Sequence, residues 1–430
     1  QEVRFDANPN YYDAKNVFVQ HVVVTYSDGK DPAQQFNMFV NGEVTSTTVN
    51  QSLPEVVAKA AELYPDNQYK SMTTATSYWG AFNWDRQMYA LYNDPSVSTT
   101  SKTDAQKADT KAAILNADFR RAVYAAYSAH AVEAITLGEE HADGVIRNTL
   151  IPYTFQTTSD GRAYGSIVEK YAAELVADYE GIDLNDGHDA WYNPELAKTF
   201  AERAKEELGD SVSEWPIHID VPVYAASENQ KNMQLAMKKS VEDAIGDYVV
   251  IDLQFLEGNS SVYYSSFYNQ PTGEDNSIDL VFGAGWGPDY GDPLTYLHCF
   301  DVHDGDMLNY SGINIESQGQ SEEQKAVLET LGLNEVQEIV DQATAATGDE
   351  RIELFAKAEA MLLTNGILRP YSTSGANITI SKVKPFTVAY GLYGQAAYNQ
   401  VPYFKYMQLL DEPVTAAEYE AGKEAWMAGK

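Results

Sequence analysis

Cysteine is almost absent from these 430 residues: Cys299 stands alone, so no disulfide can close within the chain. Its apolar and aromatic neighbours mark it as a buried structural thiol, with a reactive thiol as the alternative. Basic residues are scarce as well, 29 Lys and Arg against 63 Asp and Glu, for a formal net charge of -34. A field of that sign repels phosphate backbones and anionic lipid surfaces, which argues against nucleic acid and against electrostatic membrane binding. No run approaches the ~20 apolar residues of a membrane span, and there is no repeat with a period of ~20–50 residues. The seven histidines show no H-E-x-x-H or paired spacing, no G-x-S-x-G frames a serine, and no phosphate or dinucleotide loop is present. Asp183 to Asp189 invites a calcium reading, but Gly187 falls at the fifth position and Pro194 at the twelfth, where an EF-hand loop needs Gly at the sixth and Glu at the twelfth. Asp301 to Asp306 reads as a solvated acidic loop. The expectation is a protein without cofactor or metal that is not an enzyme.

What is abundant points to a folded α/β protein. Hydrophobic residues make up 44% and aromatics 12%, enough to exclude disorder. The length exceeds a comfortable single core, so two or more lobes are expected. Val3 and Phe5 alternate with Arg4 and Asp6 as in a strand, and Val17 to Tyr26 is a β-branched run. Pro32 to Val40 and Pro54 to Tyr64 read as helices, with Glu43 to Val49 extended between them and Tyr69 to Trp84 extended after them. A helix is expected from about Thr103 to Ala134, broken near Asn116. Asn193-Pro194 opens an amphipathic helix to Leu208. A strand at Trp215 to Tyr224, a helix at Glu228 to Ile245 and a strand at Tyr248 to Phe255 form a βαβ pattern. Strand Ser277 to Phe282 comes next, then helices at Glu322 to Leu331, Asn334 to Ala346 and Asp349 to Thr364. Ile378 to Phe386 and Val401 to Leu410 are expected to be extended, and Val414 to Ala428 a polar helix.

The segment Val281 to Leu297 carries the most chemistry. An apolar strand runs into a Gly/Pro-punctuated turn bearing Trp286, Asp289, Tyr290 and Asp292. A carboxylate fixed at a strand end can take the ammonium of a bound molecule, and an indole beside it offers wall area and a cation–π contact. Asp289 as a plain turn-former is the alternative, since Pro-Asp and Gly-Asp-Pro are ordinary turn chemistry. The aromatic run Tyr78 to Arg86 is either a core strand or a strand whose backbone faces a cleft. On the second reading Asn83 is the expected contact, with Trp79 and Trp84 packing.

The turn resembles the W-x-x-D-Y-x-D-P signature of the extracytoplasmic oligopeptide-binding proteins of ABC importers (solute-binding protein family 5). The likeness extends along the chain through NPNYYDAKNV, FNWDRQMY, ILNADFRRAV, IRNTLIP, WYNPELAKTFAERAK, WPIHIDVPV, SKVKPFTV and DEPVTAAEYEAGKEAW, and is nearest to the long peptide-uptake lipoproteins of Gram-positive bacteria, streptococcal ones among them. The resemblance implies a two-lobed periplasmic-binding-protein-like fold (class II, cluster C type), lacking here the N-terminal strands and small lobe. It implies lobe I over 1–128, lobe III over 129–388 and a return to lobe I over 389–430. It also implies an extracellular, cell-surface lipoprotein that captures oligopeptides for ABC transporter permease subunits and meets the membrane only through a lipid anchor absent from this chain. Trp286 would wall the cleft, Asp289 would pair with the peptide's α-amino group, and Tyr290 and Asn83 would complete the ligand contacts. Asp118-x-Arg120 matches a helix motif of the family and is expected to be structural, although Ser128-Ala129-His130 departs from the usual continuation. The opening QEVRFDANP, without initiator Met, export signal or lipobox, reads as a fragment or processed segment. Competing expectations are a same-fold receptor for a sugar, nickel or signalling peptide, an acidic secreted hydrolase with paired carboxylates in an aromatic cleft, and a surface adhesin.

Overall fold

A computed structural model of the chain describes residues 2–27, 31–387 and 404–428. Its strands are β1 (Glu2–Asp6), β2 (His21–Thr25), β3 (Ser46–Thr48), β4 (Tyr69–Lys70), β5 (Ser77–Phe82), β6 (Ala90–Leu91), β7 (Asp94–Ser98), β8 (Ile217–Tyr224), β9 (Val249–Leu256), β10 (Leu280–Trp286), β11 (Leu368–Thr373) and β12 (Ile378–Ser381). They form small sheets interleaved with helices, the expected α/β class. β8 and β9 are parallel, joined by the helix Glu228–Ile245. β8 (IHIDVPVY) is buried along nearly its whole length, the composition of a strand covered on both faces.

Helix boundaries coincide with their caps. The expected Thr103–Ala134 helix is three helices, Asp104–Leu115, Ala117–Ala126 and Ala129–Leu137. The side chains of Thr103, Asn116 and Ser128 each accept a backbone N–H from the first turn of the helix they precede, so each break is an N-cap. Asn193 caps Pro194–Leu208 in the same way, with Ala197, Phe200, Ala201 and Ala204 on its buried face. The Asp118-x-Arg120 motif is structural, as expected. Arg120 is fully buried and donates to the carbonyls of Ile114, Asn365 and Gly366, and burial pushes its pKa down to about 10. Asp118 pairs with Arg121 (2.6 Å) and Arg203 (2.9 Å).

The sheet that matters most has the order β10-β5-β11 and is antiparallel throughout. β11 has no counterpart in the sequence reading, because Arg369 and Pro370 interrupt its apolar pattern. All six of its residues are nevertheless buried. Arg369 is neutralised by Asp189 at 2.7 Å. Pro370 sits at a register shift on an edge strand, where the missing N–H costs no ladder bond. The strand expected over Val401 to Leu410 lies partly outside the described residues. Residues 404–410 contribute one isolated bridge, Leu409 to Val383.

Among the described residues, two separate cores emerge, with a minor cluster of Leu256, Tyr263, Phe267, Ile278 and Val281 beside the larger. The smaller gathers Phe36, Phe39, Val49, Val56, Ala60 and Ile380. The larger runs from Trp79 to Tyr371 in sequence, so β5 packs with residues expected in another lobe. The break between cores falls between β4 and β5 and again between β11 and β12, and β5 is hydrogen-bonded on both sides within the larger unit. The terminal helix Ala416–Ala428 returns to the smaller unit. Tyr419 stacks on Tyr69 at 3.9 Å and its hydroxyl accepts the Met72 N–H.

A buried quartet of charges anchors the start of β10. Arg86 Nη1 lies 2.7 Å from Asp220 and 2.8 Å from Asp279, and Lys102 Nζ bonds both carboxylates. The backbone N–H of Asp220 also donates to Asp279 Oδ2 (2.7 Å), tying β8 to the residue just before β10.

Candidate functional site

β10 leads directly into the turn that the sequence singled out. Only β5 pairs with β10, so its other edge carries no strand among the described residues. A bulge between Phe282 and Ala284 leaves Gly283 without a partner on β5, and Gly283 is exposed. Bulges of this kind twist a strand and re-aim the residues beyond them. Gly285 lies opposite Tyr78, where any Cβ would sit 2.5 Å from the Tyr78 ring. The ring occupies the space a side chain would need.

Past the strand, three clamps hold the turn. The backbone N–H of Asp289 donates to the buried Thr295 hydroxyl (2.8 Å). Gln156 donates to the Gly291 carbonyl (2.8 Å). Arg351 binds Asp292 with both Nε (2.9 Å) and Nη2 (3.0 Å), the two-pronged geometry that guanidinium and carboxylate favour. The same Arg351 reaches the carbonyls of Ala343 and Thr344 at the end of the helix Leu333–Ala345. Asp292 is thus consumed by the scaffold: it is charge-balanced and also accepts the Leu294 N–H.

That leaves Asp289. Its carboxylate is exposed and has no hydrogen bond or ion pair among the described residues, although its backbone is fixed. Three residues back, Trp286 is half-buried with its ring edge-on to His298 (5.2 Å, 78°). The indole N–H is buried yet has no acceptor. Tyr290 is 45% exposed, and burial, then the charges of Asp292 and Asp289, raise its hydroxyl pKa. The structure therefore brings together a free carboxylate on a hydrogen-bonded backbone, an unpaired indole donor, an exposed phenol and a strand edge with no strand beside it among the described residues. Such a set can take an ammonium group and pair with an extended backbone.

Asn83 is placed differently. It is 2% exposed, its Nδ2 donates to the Asn276 carbonyl (3.2 Å) and its Oδ1 accepts the Asp85 N–H (3.1 Å). Its amide is spent inside the fold and is not offered to solvent, in contrast to the ligand contact expected from sequence. Trp79 and Trp84 pack in the interior. Cys299 is buried, and burial, with smaller additions from the charges of Asp306 and Asp289, pushes its thiol pKa well up. Sequence reasoning missed the Arg351 clamp and His298, whose partners lie too far away in sequence, or in too irregular a turn, to leave a periodic signal.

Comparison with known proteins gives the family and the fold. The family model for bacterial extracellular solute-binding proteins, family 5 (middle region), matches residues 1–306. Oligopeptide-binding protein AliB of Streptococcus pneumoniae is 34% identical over 433 residues, covering 100% of this chain and 63% of AliB. Oligopeptide-binding protein SarA of Streptococcus gordonii is 31% identical, covering 99% of this chain and 62% of SarA. The chain thus spans less than two thirds of the length of these curated relatives. Among solved structures, the substrate-binding domain of an oligopeptide ABC transporter from Bacillus anthracis superposes with a TM-score of 0.62 at 18% identity, over 96% of this chain and 63% of that one. Listeria monocytogenes OppA bound to peptide gives 0.61 at 15% identity, over 95% and 62%. These likenesses establish the fold, and the family match covers most of the sequence. The chain belongs to family 5 of the bacterial extracellular solute-binding proteins.

Proposed function

We propose that this chain forms the ligand-gripping part of a cell-surface lipoprotein receptor that captures oligopeptides and passes them to an ABC permease, without catalysing a reaction. The observation that carries this reading is the Asp289 carboxylate, held by its backbone and left without a partner at the end of an unpaired strand edge. A peptide's N-terminal ammonium at Asp289 would let its backbone pair along β10, an added-strand mode that is tolerant of sequence. The Trp286 ring closes one side and Tyr290 the other. Closure over the ligand would come from bending where the two cores join, around residues 71–76 and 374–377. There Thr74 N–H donates to the Ser374 carbonyl (2.9 Å), keeping the two crossing segments together. On this assignment the smaller core belongs to lobe I and the larger to lobe III.

Asp289→Ala is expected to weaken binding of free-amino peptides by at least about tenfold, or ~1.4 kcal/mol. N-acetylated peptides should bind the wild type and the variant equally poorly. Calorimetric titration with both peptide forms tests this directly, and an unchanged affinity for the free-amino peptide in the variant would remove Asp289 from the site.

A further inference from the structure

Besides the chain crossings, the two units touch through one packed segment. The helix Ala129–Leu137, capped by Ser128, ends at Gly138 and leads into the short helical turn Ala142–Val145. It belongs to the larger unit, where Ala129 and Val132 are buried in the core, yet its far end lies against the smaller one. A Cβ at Gly138 would stand 3.5 Å from Gln51, and one at Gly144 would collide with the Lys70 ammonium. Thr136 and Leu137 line one side of a cavity of about 180 Å³ whose other side includes Phe36, Val49 and Asn50. The contact is therefore made at its edges around an unfilled space, and a void forfeits the packing that would otherwise hold its walls.

Two side chains on this helix take up protons in acid. His130, in the first turn, is clasped by two carboxylates that follow the helix: Nδ1 lies 2.6 Å from Asp143 and Nε2 2.9 Å from Glu139. These bonds raise its pKa, the one to Asp143 most. Glu133 is 8% exposed, and burial raises its pKa to about 7 against the lowering effect of its hydrogen bond with Ser372 of β11. The phenols of Tyr127 and Tyr371 adjoin Glu133 and are kept neutral by burial. Other charges around the helix are matched. Asp189 accepts the His130 backbone N–H (3.2 Å) and pairs with Arg369 (2.7 Å). On the helix Glu228–Ile245 alongside, Ser240 accepts the Ser128 N–H, while Lys238 and Lys239 pair with Glu242 and Asp243. Glu140 and His141 complete the titratable groups of the turn, and Lys70 meets it from the smaller unit. Both His130 and Glu133 have their pKa raised on folding. Their contributions are thus whole in acid, below 6.5 and 4.5 respectively, and are lost as pH rises through the folded values. Above neutral the clasp on the turn is released and a carboxylate is left charged in the interior.

We propose that the Ala129–Leu137 helix is a proton-operated strut: with His130 and Glu133 protonated it holds the two units in one arrangement, and loss of those protons lets the units move. A consequence rests on the peptide-binding reading above: a peptide held between the units is gripped in acid and released more readily above neutral.

The strut is tested without any ligand. Cys299 is buried, so spin labels can be attached at cysteines introduced on the exposed sites Glu62→Cys of the smaller unit and Glu206→Cys of the larger. Pulsed dipolar spectroscopy then reads the distance between units. A narrow distribution at about pH 5.5 should broaden or lengthen at about pH 8.5. Glu133→Gln stays neutral and keeps an acceptor for Ser372, and His130→Asn cannot gain a charge, so the two together should give one distribution at both pH values. The His130 side chain is 33% exposed, so His130→Asn alone should remove part of the change should the double variant fail to fold. An identical distribution for the native pair at both pH values, or a change undiminished by these substitutions, would overturn the strut. The consequence is tested by dissociation of a free-amino oligopeptide. Its own amino group titrates at about 7.7–8.0, so the wild type is compared with the double variant at each pH. Between about pH 5.5 and about pH 8.5 dissociation should accelerate at least about threefold more in the wild type, the scale of a few half-exposed ion pairs. Equal acceleration in both proteins would overturn the consequence for the ligand. Failure to bind any peptide would overturn the peptide-binding reading, while the spectroscopic result would still decide the strut.

Discussion

Asp279→Ala is expected to destabilise the protein by ~3–5 kcal/mol, the usual cost of leaving a buried charge without its partner. The variant leaves Arg86 and Lys102, which are 4% and 7% exposed, to share Asp220 alone, so one buried positive charge loses its counter-charge. In the native protein burial pushes the Asp279 carboxyl up, but Arg86 and Lys102 outweigh it and hold its pKa below the ordinary value. Asp220 feels burial and the Asp279 charge together and is raised. Because the Asp279 pKa is depressed on folding, its contribution is present above the ordinary 3.8 and is lost as pH falls below that value. Urea unfolding at pH 7 checks the size: a loss smaller than ~1 kcal/mol with an unchanged slope would show that the quartet is not a stabilising anchor. The quartet also sets where β10 starts relative to β8. A weakened variant that still folds should therefore lose peptide affinity although the Asp279 carboxylate is spent on Arg86 and Lys102.

Glu359 should give an effect of similar size and opposite pH dependence. It is fully buried, its Oε1 accepts the N–H groups of Leu150 (2.7 Å) and Ile151 (3.3 Å), and Tyr164 donates to its Oε2 (2.9 Å). No cation is among these partners. Burial raises its pKa from 4.5 to about 8, against the lowering effect of the three hydrogen bonds. Folded Glu359 therefore keeps its proton where the unfolded chain has already lost it. Its stabilising contribution is whole below pH 4.5 and declines by up to ~1.4 kcal/mol per pH unit as pH rises toward 8. Glu133, raised by burial to about 7, adds a shorter window of the same sign. Glu359→Gln retains an acceptor for the two backbone donors and removes the titration. The variant should therefore exceed the wild type in stability at about pH 8 by several kcal/mol, with little difference at about pH 4.5. Parallel slopes of stability against pH for both proteins would show that Glu359 is not held neutral.

Much of the local structure was legible because it is periodic or punctuated. The helices Pro194–Leu208 and Glu228–Ile245 fall where their caps and apolar spacing put them, and Asn116 marks the break it was expected to mark. The turn at Trp286 to Asp292 was legible through residue types alone. Which of its two aspartates is free was not. Asp292 is neutralised by Arg351, 59 residues away, a distance at which sequence leaves no pattern. β11 stayed hidden for a related reason: Arg369 reads as a surface residue until Asp189 and the Tyr127 ring are placed beside it. The division between the cores was not legible because β5, an aromatic strand near the front of the chain, takes its hydrogen bonds from residues roughly 200 and 290 positions later. Asn83 shows the same limit on a smaller scale, since only long-range partners decide whether a polar residue at a strand end meets solvent.

The two unequal cores carry a calorimetric consequence. A unit built on Phe36, Phe39, Val49, Val56, Ala60 and Ile380 buries far less apolar surface than one extending from Trp79 to Tyr371, so its heat capacity step and melting enthalpy are smaller in proportion. Joined by two chain crossings among the described residues, the units need not melt together, and a scan of the chain should resolve a minor early transition and a major later one. A compound seated only on the larger unit lifts the later peak and leaves the early one in place. A compound gripped by both units draws the peaks into one, so the number of transitions at saturation reports how many walls the guest touches.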